Sequence, residues 1–83
     1  MLFRSIVKIP PNSQTLRGSY GHLGRELGFI ITGKGQLHYE SKIYDLEEGD
    51  SVSYSASSPH TLVNVGSEPL IALWVVTPPQ RFV

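Results

Sequence analysis

Cysteine is missing from the sequence, and this absence excludes several kinds of chemistry at once. Without thiols the chain has no disulfide, no thiolate zinc site and no cysteine nucleophile, so a bound metal would need histidine and carboxylate ligands. A cysteine-free chain is also typical of a reducing compartment, and we therefore expect a cytoplasmic protein.

Clusters of one charge and long apolar runs are absent too. Seven Lys and Arg balance seven Asp and Glu without a basic cluster, so we expect no direct contact with nucleic acid. The longest apolar run, Leu70 to Val76, is far shorter than the ~20 residues that span a bilayer. No charged and then apolar leader opens the chain, and we expect neither membrane association nor export.

The remaining composition predicts one folded all-β domain over residues 1–83. The chain is 40% hydrophobic and only 17% charged, as in globular proteins. Strand signals recur every eight to twelve residues, and no window sustains a helical period, which indicates a barrel or sandwich. The expected extended segments are 2–9, 27–32, 36–40, 43–46, 51–57, 60–65 and 70–76.

Two of these segments, 27–32 and 70–76, are apolar on both faces. A strand of this kind is buried on both sides, so we expect a second copy of the chain to cover part of the barrel and form a homodimer. In contrast, segment 51–57 alternates serines with apolar residues. Its serine face either contacts solvent or lines a pocket.

The first of two spaced motifs contains candidate metal ligands. It runs Tyr20-x-His22 and then, after three residues, Glu26, with Gly33 seven positions further on. Imidazole and carboxylate side chains are ligands for divalent transition metals.

The second motif begins at Gly49 and continues through His60 to Asn64. Together the two motifs resemble those of the cupin superfamily, over roughly residues 19–79. Three positions depart from the family pattern: Tyr20 replaces the first histidine, Ser55 a proline and Ser57 a glycine. The resemblance implies a small antiparallel jelly-roll barrel. It also implies turn glycines at 33 and 49, and an Asn64 side chain that bonds to neighbouring backbone.

The resemblance implies a metal site at His22, Glu26 and His60, with Tyr20 as a weak fourth position. Two imidazoles and one carboxylate form a facial triad that suits Fe(II) and also accommodates Mn, Ni or Zn. A neutral phenol is a poor ligand, so the set is incomplete. The alternative is a metal-free site, in which His60 bonds the turn backbone and Glu26 is a solvated carboxylate beside Arg25.

Three aromatic side chains, Tyr20, Tyr54 and Trp74, are candidates to line a ligand pocket, the alternative being ordinary core positions. His38 matches no ligand position of the family. We interpret His38 as a surface or pocket-lining residue rather than a metal ligand.

Within the superfamily, the chain is most similar to the C-terminal cupin domain of bacterial regulators whose N-terminal half is a helix-turn-helix. The segments that carry this similarity are HLGRELGFIITG, YDLEEGDSV, PHTLVNVGSEP and LWVVTPP. The resemblance implies a dimeric sensor of a small molecule, with the DNA-binding half absent from these residues. The alternatives are a metal-dependent oxygenase or isomerase using the facial triad, and a structural subunit with a vestigial pocket.

Overall fold

The computed structural model describes residues 3–15 and 24–77, and their regular structure consists entirely of strands. The all-β prediction is therefore confirmed. Within these ranges, no helix is present that could cross a membrane. The strands are β1 (Phe3–Ile9), β2 (Arg25–Thr32), β3 (Gly35–Tyr39), β4 (Lys42–Leu46), β5 (Ser51–Ser55), β6 (His60–Asn64) and β7 (Leu70–Thr77).

The strands form two antiparallel sheets. The first has the order β1-β7-β2-β5 and the second the order β4-β3-β6. Strand β7 lies inside its sheet, as its apolar sequence predicts, while β1 is an edge strand that ends at Pro10. Among the described strands, only β3 and β4 are sheet neighbours joined by a short hairpin, so most pairing joins distant parts of the chain.

The core lies between the inner faces of the two sheets. In β2 and β7 alternate residues are buried, as expected when one face of an antiparallel sheet points inward. Ile30, Leu70 and Ala72 are at most 1% exposed, and Leu37 and Leu62 cover them from the opposite sheet.

Two predicted boundaries, the start of β2 and the end of the serine segment, move once the pairing is known. Strand β2 begins at Arg25, two residues early, because Arg25 pairs with both Ser55 and Thr77. The serine segment does not continue to residue 57, because the chain turns after Ser55 and the Ala56 amide donates to the Gly24 carbonyl.

The outward side chains of β2 are not covered within one chain. Leu27, Phe29 and Ile31 remain 48%, 42% and 39% exposed. The sequence predicts burial of segment 27–32 on both faces, and one chain buries only the inner face.

Two turn glycines and Asn64 lie at the ends of strands. Gly33 and Gly49 have φ of 97° and 91°, a region that side chains disfavour. The Asn64 amide donates to the carbonyls of Ile9 and Glu68, each at 2.9 Å, while its oxygen accepts from the Gly66 amide at 2.8 Å. Asn64 therefore fastens the end of β1 to the turn that precedes β7.

Candidate functional site

A buried carboxylate lies at the centre of the candidate site. Glu26 points inward from β2 and is only 4% exposed. Its Oε1 accepts hydrogen bonds from Trp74 Nε1 at 2.7 Å and from Tyr54 Oη at 2.9 Å. Strands β5 and β7 flank β2, so the sheet register brings both donors beside the carboxylate. The interpretation of Glu26 as a solvated carboxylate is therefore wrong.

His60 reaches the same carboxylate from the opposite sheet. It begins β6, is 8% exposed, and places Nε2 at 2.8 Å from Glu26 Oε2. Its other ring nitrogen, Nδ1, lies 2.8 Å from the Ser58 carbonyl oxygen. A carbonyl only accepts hydrogen bonds, so Nδ1 carries a proton and donates it.

With this tautomer, the contact between Glu26 and His60 needs a proton or a cation between the two side chains. With Nδ1 protonated, neutral imidazole presents a lone pair at Nε2, and an ionised carboxylate presents another at Oε2. Two lone pairs at 2.8 Å repel, so a shared proton or a cation must stabilise the contact. Among the described residues, Oε2 has no hydrogen-bond donor apart from this imidazole.

Aromatic rings surround the pair. The ring of Tyr54 lies 5.0 Å from those of Tyr39 and His60 and 6.5 Å from that of Trp74, all at tilted angles. Tyr39 Oη donates to the Ser55 carbonyl across the gap between the sheets. This shell excludes water from the carboxylate and strengthens its hydrogen bonds.

Gly28 leaves room for the indole ring of Trp74, a role that we did not predict from the sequence. It pairs with Trp74 in the register of β2 and β7, and a Cβ atom built at Gly28 would overlap the indole ring. The indole therefore needs a residue without a side chain beneath it. A glycine inside a strand pattern is the signal that indicates such a close approach.

A cavity of about 400 Å³ opens between β4 and β5, next to this cluster. Tyr54 belongs to both, because its ring lines the cavity and its hydroxyl binds Glu26. Trp74 is not part of the cavity wall that the described residues form, but a hydrogen-bond donor to Glu26 and a core residue. The other lining residues are Leu37, Tyr39, Tyr44, Asp45, Leu46, Val52 and Ser53.

Two of the candidate metal ligands, Glu26 and His60, are in contact. The other two, His22 and Tyr20, lie outside the described residues. Within ranges 3–15 and 24–77, no three His, Cys, Asp or Glu side chains form a metal-binding group. His38 instead bonds Gln36 through Nε2 at 3.1 Å.

The side chains of Glu26 and His60 are suitable ligands for a divalent cation. Metal-bound histidines usually donate their second nitrogen to a carbonyl or carboxylate, as His60 Nδ1 does to Ser58. The acceptor bonds at Oε1 likewise fix the carboxylate of Glu26.

Comparison with known proteins places this geometry in a family. The family model described as "Cupin domain" matches residues 5–76. The uncharacterized protein MJ1618 of Methanocaldococcus jannaschii is 27% identical over 71 residues, which cover 86% of this chain and 56% of that protein. The chain thus spans little more than half the length of this relative.

Solved structures show the same fold. The Cupin_2 domain of an XRE family transcriptional regulator from Enterobacter cloacae superposes with a TM-score of 0.87 at 15% identity, covering 95% of this chain and 83% of that one. A predicted oxalate decarboxylase from Thermotoga maritima superposes with a TM-score of 0.81 at 25% identity, covering 92% and 65%.

Proposed function

Because the chain belongs to the cupin family, we propose that its barrel binds a small organic molecule beside Glu26 and that this binding is the sensor step of a transcriptional regulator. One observation carries the proposal: Tyr54 is both a wall of the cavity and a hydrogen-bond donor to the buried carboxylate. A ligand that contacts Tyr54 therefore acts directly on the Glu26 cluster.

The cavity wall indicates the chemistry of the ligand. Its volume is within the range of small-molecule sites. Tyr39 and Tyr54 supply flat apolar surface. Asp45 and Ser53 also line the cavity, and their side-chain oxygens accept hydrogen bonds from Gln36 and Arg25. We expect a compact molecule with an apolar ring or chain and a hydrogen-bonding end that reaches the Tyr54 hydroxyl.

A sensor must convert binding into a change of state. Ligand binding shifts an equilibrium only if the ligand has different affinities for the two states. A ligand that moves the Tyr54 hydroxyl away from Glu26 weakens the bond between β5 and β2. The sequence resemblance to regulator sensor domains supports this role, which requires a DNA-binding half outside these residues.

A second candidate is a metal-dependent enzyme, and the contact between His60 Nε2 and Glu26 Oε2 favours it. These two atoms would hold the metal, with His22 as the third ligand that the family resemblance implies. A bound metal would supply Lewis-acid or redox chemistry. The Ser58 carbonyl would keep Nε2 available, and Tyr54 and Trp74 would orient the carboxylate.

Ligand binding is tested with Trp74, the single tryptophan of the chain, as the fluorescent reporter. The probes are a panel of small aromatic and aliphatic carboxylic acids, amino acids and sugars. We expect a saturable change with at least one probe, which Val52→Phe abolishes by filling the cavity. Val65→Phe is the matched control, because Val65 is 50% exposed and does not line the cavity. Equal binding by both variants would refute this site.

The enzyme candidate is tested by elemental analysis of protein purified without chelator, with Glu26→Gln as the comparison. Near-stoichiometric Fe, Mn, Ni or Zn that falls in the variant would support the metal site. Equal metal content in both proteins would count against Glu26 as a ligand. Metal-free protein that also fails to bind added Fe(II) would leave the sensor proposal alone.

A further inference from the structure

Three tyrosines from the two sheets line the cavity between β4 and β5. Tyr44 lies directly opposite Leu37 in the β3–β4 pair, and Leu37 belongs to the core, so Tyr44 is on the inner face of its sheet. Tyr39 lines the cavity from the same sheet, and Tyr54 lines it from the other. The rings of Tyr39 and Tyr54 lie 5.0 Å apart at an angle of 53°. The cavity wall is therefore aromatic on both sides.

The hydroxyl protons of two of these tyrosines are donated within the chain. Tyr54 Oη donates to Glu26 at 2.9 Å, and Tyr39 Oη donates to the Ser55 carbonyl at 3.2 Å. A hydroxyl whose proton is donated can only accept further hydrogen bonds, so it suits a ligand that donates them. Donation also polarises the phenol and makes its ring more electron-rich, which strengthens the attraction of the ring face for a cation.

The ionisable groups around the cavity are mainly acidic. Among the described residues that line it, Asp45 supplies a carboxylate and none is Lys, Arg or His. Gln36 donates to Asp45 Oδ1 at 3.1 Å, which orients the carboxylate without neutralising it. The turn that joins β4 to β5 adds Glu47, Glu48 and Asp50. This charge attracts a cation and repels an anion.

Two cations near the cavity offset only part of this charge. Arg25 donates to the lining residue Ser53 at 3.2 Å, and Lys34 lies beside the acidic turn. With a shared proton, the Glu26–His60 pair is neutral as a unit and contributes no net charge. Four acidic side chains against two basic ones leave the surroundings of the cavity negative.

We propose that the ligand of this cavity is an organic ammonium ion, and this proposal rests on the ligand-binding function proposed above. Aromatic faces and a nearby carboxylate are the groups that attract such an ion. A carboxylate ligand, in contrast, would be repelled by Asp45 and would gain nothing from the ring faces. Through its hydroxyl, Tyr54 connects the bound ion to Glu26.

The preference for positive charge is tested with two probes of the same shape. Choline carries a trimethylammonium group, and 3,3-dimethylbutan-1-ol has an uncharged tert-butyl group in its place. Trp74 fluorescence titrations compare the two probes at constant ionic strength, with sodium chloride as the blank for choline chloride. We expect choline to bind at least about tenfold more tightly, because only the cation is attracted by the rings and the carboxylate.

Substitutions of Tyr44 separate the aromatic face from apolar contact. Tyr44→Leu removes the ring but keeps apolar surface, so the Kd for choline should rise about three- to tenfold while that for the alcohol changes less than about twofold. Tyr44→Phe keeps the ring and should keep the affinity for choline. Tyr44 is 45% exposed, so we expect both variants to fold, and circular dichroism checks this. If Tyr44→Leu does not fold, the substitution of Asp45 tests the proposal.

Asp45→Asn tests the carboxylate, because the amide keeps the shape of the side chain and removes its charge. We expect the Kd for choline to rise about three- to tenfold and the Kd for the alcohol to stay the same. Glu68→Gln is the matched control, because Glu68 is exposed, precedes β7 and does not line the cavity. This control should bind choline like the unchanged chain.

The outcomes distinguish the ammonium ion from the cavity itself. Equal affinity for choline and the alcohol, both lost in Val52→Phe, would overturn the ammonium ion and leave the ligand-binding cavity in place. Choline affinity that neither Tyr44→Leu nor Asp45→Asn lowers would do the same. Choline binding that Val52→Phe does not weaken would overturn both proposals, and so would a failure of every probe, charged or neutral, to bind.

Discussion

Replacing Glu26 with alanine should remove a large part of the stability of the barrel, whereas glutamine should be tolerated. Glu26 is 4% exposed and is the shared acceptor for Trp74 Nε1 and Tyr54 Oη. Removing an acceptor from a buried donor costs about 1–3 kcal/mol. Two donors and the cavity left by the side chain therefore predict a loss of about 3–6 kcal/mol for Glu26→Ala.

The glutamine variant separates hydrogen bonding from charge. Gln at position 26 offers one oxygen to Tyr54 and Trp74, and its amide group can donate to His60 Nε2, whose tautomer leaves a lone pair there. The two bonds at Oε1 lose only their ionic component, which we expect to cost about 1–2 kcal/mol. A domain of this length has a total stability of roughly 4–12 kcal/mol, so the two variants differ measurably.

Urea unfolding measures the free energy of unfolding of both variants. It is followed through Trp74 fluorescence in the presence of a chelator. Glu48→Ala is the control, because Glu48 is exposed and should change the free energy of unfolding by less than about 0.5 kcal/mol. If glutamine costs as much as alanine, the account of Glu26 as a hydrogen-bond acceptor is wrong.

Further substitutions probe the supports of this cluster. Tyr54→Phe should lower the free energy of unfolding by about 1.5–3 kcal/mol, because it removes one charge-assisted hydrogen bond, and the same urea titration measures it. Gly28→Ala should displace the indole of Trp74, lower the free energy of unfolding by about 1–3 kcal/mol and alter the near-ultraviolet circular dichroism signal. Gly49→Ala is the control, because it is strained in φ but makes no steric contact, and it should leave that signal unchanged. Asn64→Ala should cost about 2–3 kcal/mol in thermal unfolding, because one buried and two partly buried backbone groups lose their partner. A loss below about 1 kcal/mol would contradict this role.

Much of the fold could be predicted because its signals are local. The serines of segment 51–57 alternate with apolar residues, and this pattern, which depends only on the period of a strand, predicts β5. Gly33 and Gly49 mark turns because each adopts a positive φ. The jelly-roll class is also confirmed by its structural relatives, and the cupin family by the match over residues 5–76.

The structure describes only part of the predicted site. Glu26 and His60 are in contact, while His22 and Tyr20 lie outside the described residues and stay predictions. Our interpretation of Tyr54 as a pocket residue or a core residue did not include its bond to Glu26. That bond joins residues 28 positions apart, and no sequence pattern around either residue indicates it.

By itself, then, the sequence determined the all-β class, the approximate strands, the turns and the family, because these depend on short-range spacing and backbone preference. Only the tertiary structure decided which polar groups are buried together and which sheet face remains uncovered. The reason is physical: the order and register of β2, β5 and β7 are set by long-range pairing. That pairing brings Glu26, Tyr54 and Trp74 into one cluster and leaves Phe29 on the outside.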